Sequence, residues 1–183
     1  MGRLLLKLMA APVAMLTANA CAAAISVSSH IDRRLDFSQY RTFDWGPADA
    51  RPTGDPRLDR DPFFKDHLEG AVERGLARRG IELTTGGIPD LLIHYHANVS
   101  ERIDVNRADR LYGYCRVSDC PPDVVSYEAG TLVLDFIDPR TDTLVWRAWA
   151  QNDVKDMLRD RDKMAKTIDR AVAEMLLQLP GLR

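Results

Sequence analysis

Residues 132–150 read LVLDFIDPRTDTLVWRAWA. Two apolar-rich runs, Leu132–Ile137 and Thr143–Ala150, flank Asp138-Pro139-Arg140-Thr141-Asp142. A side-chain acceptor followed by proline, whose φ is already set, is turn chemistry, so the stretch predicts a β-hairpin. If Ile137 pairs with Thr143, then Leu132, Leu134 and Phe136 lie opposite Ala148, Trp146 and Leu144. That face is wholly apolar and has to be covered. The other face sets Thr131, Val133, Asp135 and Ile137 against Trp149, Arg147, Val145 and Thr143, a mixed surface. A slip of one residue would scramble this sorting, which argues for the pairing. Trp146 is thereby expected in the core and Trp149 on the second face.

Working outward, residues 89–103, PDLLIHYHANVSERI, alternate in the same manner. Leu91, Ile93, Tyr95, Ala97 and Val99 share one side of a strand, and Leu92, His94, His96 and Asn98 share the other. Upstream, AISVSSHI and DFSQYRTFDWG suit two shorter strands, the second ending at Gly46-Pro47. Residues 46–62 hold Pro47, Pro52, Pro56, Pro62 and Gly54 and read as a loop. Asp61-Pro62 then caps a helix in which Phe64, Leu68, Val72 and Leu76 recur every fourth residue, up to Gly80. IELTT is a short strand, and Gly86-Gly87 a turn with neither the lysine nor the following helix of a phosphate loop. Residues 104–125 are polar, include Cys115 and Cys120, and are expected to leave the sheet. A last helix from about Asp160 to Leu179 carries Met164, Ile168, Ala171, Val172, Met175 and Leu176 as its apolar stripe and stops at Pro180-Gly181. The expected fold is α+β, a two-layer sandwich. Two amphipathic helices cover one face of an antiparallel or mixed sheet of about five to six strands.

The N-terminus belongs to another category. Arg3 and Lys7 precede an apolar run from Leu8 to Ala18, too short to span a bilayer, followed by Ala18-Asn19-Ala20. Residues 1–20 are read as a secretory signal, leaving residues 21–183 as a single domain. Losing Arg3 and Lys7 takes the formal charge of −2 down by two, which disfavours nucleic acid as a partner. Cys21 follows the small-residue exit, where lipoprotein signals place the acylated cysteine. Acyl chains there would hold the domain at a membrane without a spanning helix. Ordinary cleavage at the same place, or among Ala22–Ala24, is the alternative. Ala22 is not the aspartate associated with inner-membrane retention, so the expected location is the periplasmic face of the outer membrane, with a soluble periplasmic protein as the alternative. Export places Cys115 and Cys120 in an oxidising compartment, where a local disulfide is the default expectation, contributing about 2 kcal/mol.

The ordered set DFSQYRTFDW, LARRGIE, PDLLIHYH, EAGTLVLDFIDPRTDTLVWRAWA and a final helix ending in proline resembles the domain of unknown function 4136 family, whose members are bacterial envelope lipoproteins. The resemblance runs from about Val27 to Pro180. It implies an α+β fold and brings no activity, catalytic residue, cofactor or ligand. Cys21 sits in an imperfect lipidation motif, with Ala18 where leucine is usual, and the cysteine-bearing excursion is a departure from the family pattern.

No G-x-S-x-G elbow, H-E-x-x-H, Walker loop or dinucleotide fingerprint occurs. Asp135 and Glu128 lie near the hairpin without a nucleophile-and-base constellation around them, so an unrecognised hydrolase is a minor reading. His94 and His96 project from one strand face roughly 7 Å apart, a spacing two ligands of one ion can use. A third ligand would have to come from His30 or Asp135, and two exposed polar residues are the plainer account. The expected function is therefore a non-catalytic binding module of the cell envelope, with no cofactor. Its candidate interaction face is Trp149, Arg147, Val145, Val133, His94 and His96, and its partner is another envelope component.

Overall fold

The computed structural model describes residues 25–31, 36–47, 55–104 and 125–180. The expected signal over residues 1–20, Cys21, Cys115 and Cys120 lie outside the described residues. Six strands form one mixed sheet: β1 (Ser26–Ile31), β2 (Thr42–Trp45), β3 (Glu82–Leu83), β4 (Leu91–Asp104), β5 (Val125–Asp138) and β6 (Thr143–Asp153). Their spatial order is β1-β6-β5-β4-β2-β3. The β4–β5, β5–β6 and β6–β1 pairs are antiparallel, and β2 runs parallel to both β3 and β4.

Among the described residues three α-helices accompany the sheet: α1 (Pro56–Asp59), α2 (Pro62–Ala77) and α3 (Arg161–Leu177). The segment expected as loop over residues 46–62 thus contains a helical turn, α1, because Asp55 accepts from the Arg57 amide and Pro56 fits the first helical position. The carboxylates of Asp61 and Asp160 cap α2 and α3 in the same manner, accepting from Phe63 N and from Asp162 N and Lys163 N. Helix α2 lies against β3 and α3 against β6 and β1, and the two helices touch each other along their length. Phe64, Leu68, Val72 and Leu76 of α2 and Met164, Ile168, Val172 and Met175 of α3 enter one core with Phe43, Leu91, Ile93, Tyr95, Leu134, Phe136, Trp146 and Ala148. All these sheet residues point to a single face. Both long helices therefore cover the same side. Among the described residues no helix is long and apolar enough to cross a membrane.

The hairpin departs from the expected register in an instructive way. Asp138 pairs with Thr143 across a four-residue turn in which Asp142 takes φ 52°. Continued unchanged, that register would set Phe136 opposite Val145 and turn Arg147 toward the helices. A bulge between Phe136 and Ile137 absorbs one residue of β6, so that Phe136 faces Trp146 and Leu134 faces Ala148. The expected sorting of the faces survives beyond the bulge, with partners shifted by two. At the bulge it fails: Val145, expected on the open face, is 1% exposed, and Leu144, expected in the core, is 38% exposed.

Trp146 is fully buried against Phe136, with ring centroids 4.6 Å apart. Its indole N–H has no hydrogen-bond partner among the described residues, a cost of about 1–3 kcal/mol that the burial of so large a ring outweighs.

Candidate functional site

The sheet face turned away from the helices is organised in rows by the strand register. Nearest the hairpin turn, Leu144, Ile137 and Leu92 lie side by side on β6, β5 and β4. The next row is titratable: His30, Arg147, Asp135 and His94, on β1, β6, β5 and β4. Then come Ser28, Trp149, Val133 and His96, and after them Ser26, Gln151, Thr131 and Asn98. Alternation along each strand is what places these residues together, since directly opposed residues share a face.

Asp135 is the fixed point of this surface. Its carboxylate is buried and receives both Nε and Nη2 of Arg147, at 2.5 and 2.6 Å. This two-pronged bond holds the Arg147 guanidinium above its usual pKa. Nε2 of His96 stands 3.8 Å from Oδ2 of the same carboxylate, the oxygen that also accepts from Nη2. Arg147 remains nearly half exposed, with Trp149 and Val133, both partly exposed, in the adjacent row. The indole, the fixed guanidinium and the valine form an apolar and cationic patch on a rigid sheet.

The sequence-predicted residues separate accordingly. Trp149, Arg147, Val133, His94 and His96 share the face, and Val145 does not, for the reason given by the bulge. His94 is set apart from His96 by a neighbour just past the end of β2. Gly46 hydrogen-bonds to the Ile93 carbonyl, and a Cβ at Gly46 would collide with the His94 imidazole. The imidazole is thus packed on backbone, while His96 leans on Asp135. Among the described residues no group of three or more His, Cys, Asp or Glu side chains is arranged to hold a metal ion.

A second concavity lies at the far end of the sandwich, lined by Arg57, Glu101, Tyr127, Glu128, Lys155 and Arg159 among others. Glu101 and Glu128 are directly opposed on β4 and β5, and Arg57 bridges Glu128 at 2.7 Å and Asp55 at 2.9 Å. Like charges across a strand pair repel, and Arg57 offsets that repulsion. Glu128 is thus ion-paired with Arg57 and partly exposed. Sequence reasoning missed this pair because Glu128 was outside the expected strand.

Comparison with known proteins follows the same architecture. The model of the family described as Domain of unknown function (DUF4136) matches residues 27–181. The chain belongs to the DUF4136 family. A DUF4136 family protein from Bacteroides thetaiotaomicron VPI-5482 superposes with a TM-score of 0.55 at 17% identity, covering 86% of this chain and 97% of that one. The PelC dodecamer from Paraburkholderia phytofirmans gives a TM-score of 0.50 at 9% identity, covering 87% of this chain and 100% of that one. At these identities the likeness concerns the fold. No curated relative matches the DUF4136 chain.

Proposed function

We propose that this DUF4136 protein is a non-catalytic module of the cell envelope, exported by its N-terminal signal and held at the outer membrane by lipid on Cys21. In this reading it engages another envelope component through the open face of its sheet, centred on Trp149. The observation that carries the proposal is the one-sided placement of the helices. It leaves a long, rigid sheet face carrying an indole and a guanidinium already oriented by Asp135. Aromatic and arginine side chains on a preorganised surface lose little entropy when a partner lands on them, which is why they dominate binding hot spots. Val145 is left out of the surface, and His94 contributes only as support beneath it. The PelC structures of similar fold are described as dodecamers, and a fold that works by association suits the same reading.

The test places a photoreactive benzoylphenylalanine at position 149 in living cells. A crosslinked envelope partner is expected there and absent when the same probe replaces Gln178 on the helical side. Trp149→Ala should abolish the association while shifting the unfolding free energy by less than about 1 kcal/mol. An unfolded Trp149→Ala variant, or crosslinking indifferent to position, would remove the open face from consideration. Anchoring is read separately, by fatty-acid labelling of the mature chain and its loss in Cys21→Ser.

A further inference from the structure

The sheet ends differently on its two sides. On one side β3 has two residues and runs into Gly86 and Gly87, both at positive φ, so it offers almost no backbone to another chain. On the other side β1 is six residues long, and among the described residues no strand pairs with its outer edge. Natural sheets blunt such an edge with lysine, proline, a bulge or a charge pointing inward. SVSSHI has none of these, and its pairing with β6 is continuous from Ser26 to Ile31. A second, independent observation concerns the side chains. On β4, β5 and β6 the core-facing residues Ile93, Leu134 and Trp146 are sealed off from solvent, whereas Ile25, Val27 and Ile31 are only partly buried. Helix α3 reaches β1 but does not seal its core-facing side chains from solvent. An apolar rim and a row of backbone groups that no described strand pairs therefore lie along the same edge.

We infer that β1 is a self-association edge, where two copies of this chain pair antiparallel through a twofold axis at Ser29. The occupant is a second copy because the strand is complementary to itself. Facing parity requires that core-side residues meet core-side residues, and centring on Ser29 sets Val27 of each copy against Ile31 of the other. The two serines meet at the axis, and Ser28 stands opposite His30. No like-charged pair is created within the strand. The same operation joins two six-stranded sheets edge to edge and continues the rows of the open face from one copy into the next. This inference stands apart from the Trp149 reading, which concerns the face and not the edge.

Directly opposed Cβ atoms in an antiparallel pair are about 4.5–5.5 Å apart, close to what a disulfide requires. Ser29→Cys in the mature chain, with Cys21→Ser to remove the competing thiol, is therefore expected to form a covalent dimer under mild oxidation. Ser26→Cys, away from the axis, should not. In sedimentation, the unmodified mature chain should pass from monomer to dimer as concentration rises. Ser28→Lys, at an exposed position, should weaken that association at least tenfold with circular dichroism unchanged. A chain that remains monomeric throughout, or a dimer unaffected by Ser28→Lys and without the Ser29→Cys bridge, overturns the proposal. Pairing of β1 only with a strand from a different protein would overturn it as well. Loss of the position-149 crosslink with the dimer intact would count against the open-face reading alone.

Discussion

Trp146 and Trp149 stand three positions apart on β6, an odd spacing that sends them to opposite faces of the sheet. Their energetic roles differ accordingly. Trp146→Ala should cost about 3–5 kcal/mol, because the ring is fully buried against Phe136 within the common core and the cavity it leaves collapses poorly. Chemical denaturation of this variant beside Trp149→Ala checks the contrast. Asp138 offers a pH-dependent case. Its buried carboxylate accepts from Nε and Nη2 of Arg140, at 2.9 and 2.7 Å, and from the Tyr40 hydroxyl at 3.4 Å. The Arg140 hydrogen bonds, ahead of the opposing effect of burial, hold Asp138 below the usual carboxylate range, and burial raises Tyr40. A depressed folded-state pKa stabilises the protein above the unfolded value of about 3.9, and that contribution is lost as pH falls through the folded value. Asp55 and Asp90 are lowered too, by Arg57 and by the amides of Arg41 and Thr42, so stability should fall steeply below about pH 4. In Asp138→Asn the neutral-pH stability should drop by about 1–3 kcal/mol and the acid limb should become shallower, as read by thermal unfolding across pH. The turn chemistry of Asp138 was legible from DPRTD. Its bond to Tyr40, 98 residues away, was not, because nothing local encodes it.

At the scale of elements, the helices were the most legible part. Their caps and four-residue spacing are local signals, and α2 and α3 begin where aspartate and, for α2, proline place them. Removing the Asp160 cap by Asp160→Ala should cost about 1 kcal/mol, measurable as a lowered Tm. How the helices meet is a tertiary matter. Gly75 of α2 is buried, and a Cβ there would collide with the end of Leu176 on α3. Gly75→Ala should push the helices apart or force Leu176 off its rotamer, for a loss of about 1–3 kcal/mol, set against the gain in helix propensity. Calorimetry of Gly75→Ala and of the double variant Gly75→Ala with Leu176→Val separates these effects, since the shorter side chain should recover part of the loss. The strands were legible in kind but not in extent. β5 begins at Val125, well before the apolar run at Leu132, because it pairs along the whole of β4. Pairing partners can sustain a strand whose own sequence, VSYEAGT, shows no strong alternation.

For the whole molecule, pairing predicts where the fold opens first. β4, β5 and β6 each have neighbours on both sides, while β3 contributes two residues at an edge. Amide exchange should be slowest at Ile93, Leu134 and Trp146 and fastest at Glu82 and Leu83. Amides on the outer edge of β1 should exchange readily in dilute solution and slow as concentration rises, whereas the inner amides bonded to β6 should not change. Uniform exchange across the sheet would contradict the layered core. The sequence alone determined the α+β class, the two helices and the opposite destinations of Trp146 and Trp149, because these rest on periodicities and turn residues readable within a short window; the family likeness rests on the ordered set of motifs along residues 27–181. The tertiary structure decided the strand order, the bulge that returned Val145 to the core, the burial of Asp135 between Arg147 and His96, and the packing of His94 on Gly46. Each depends on residues distant in the chain meeting at one place. That meeting is selected by the closing of the whole core and not by any local preference.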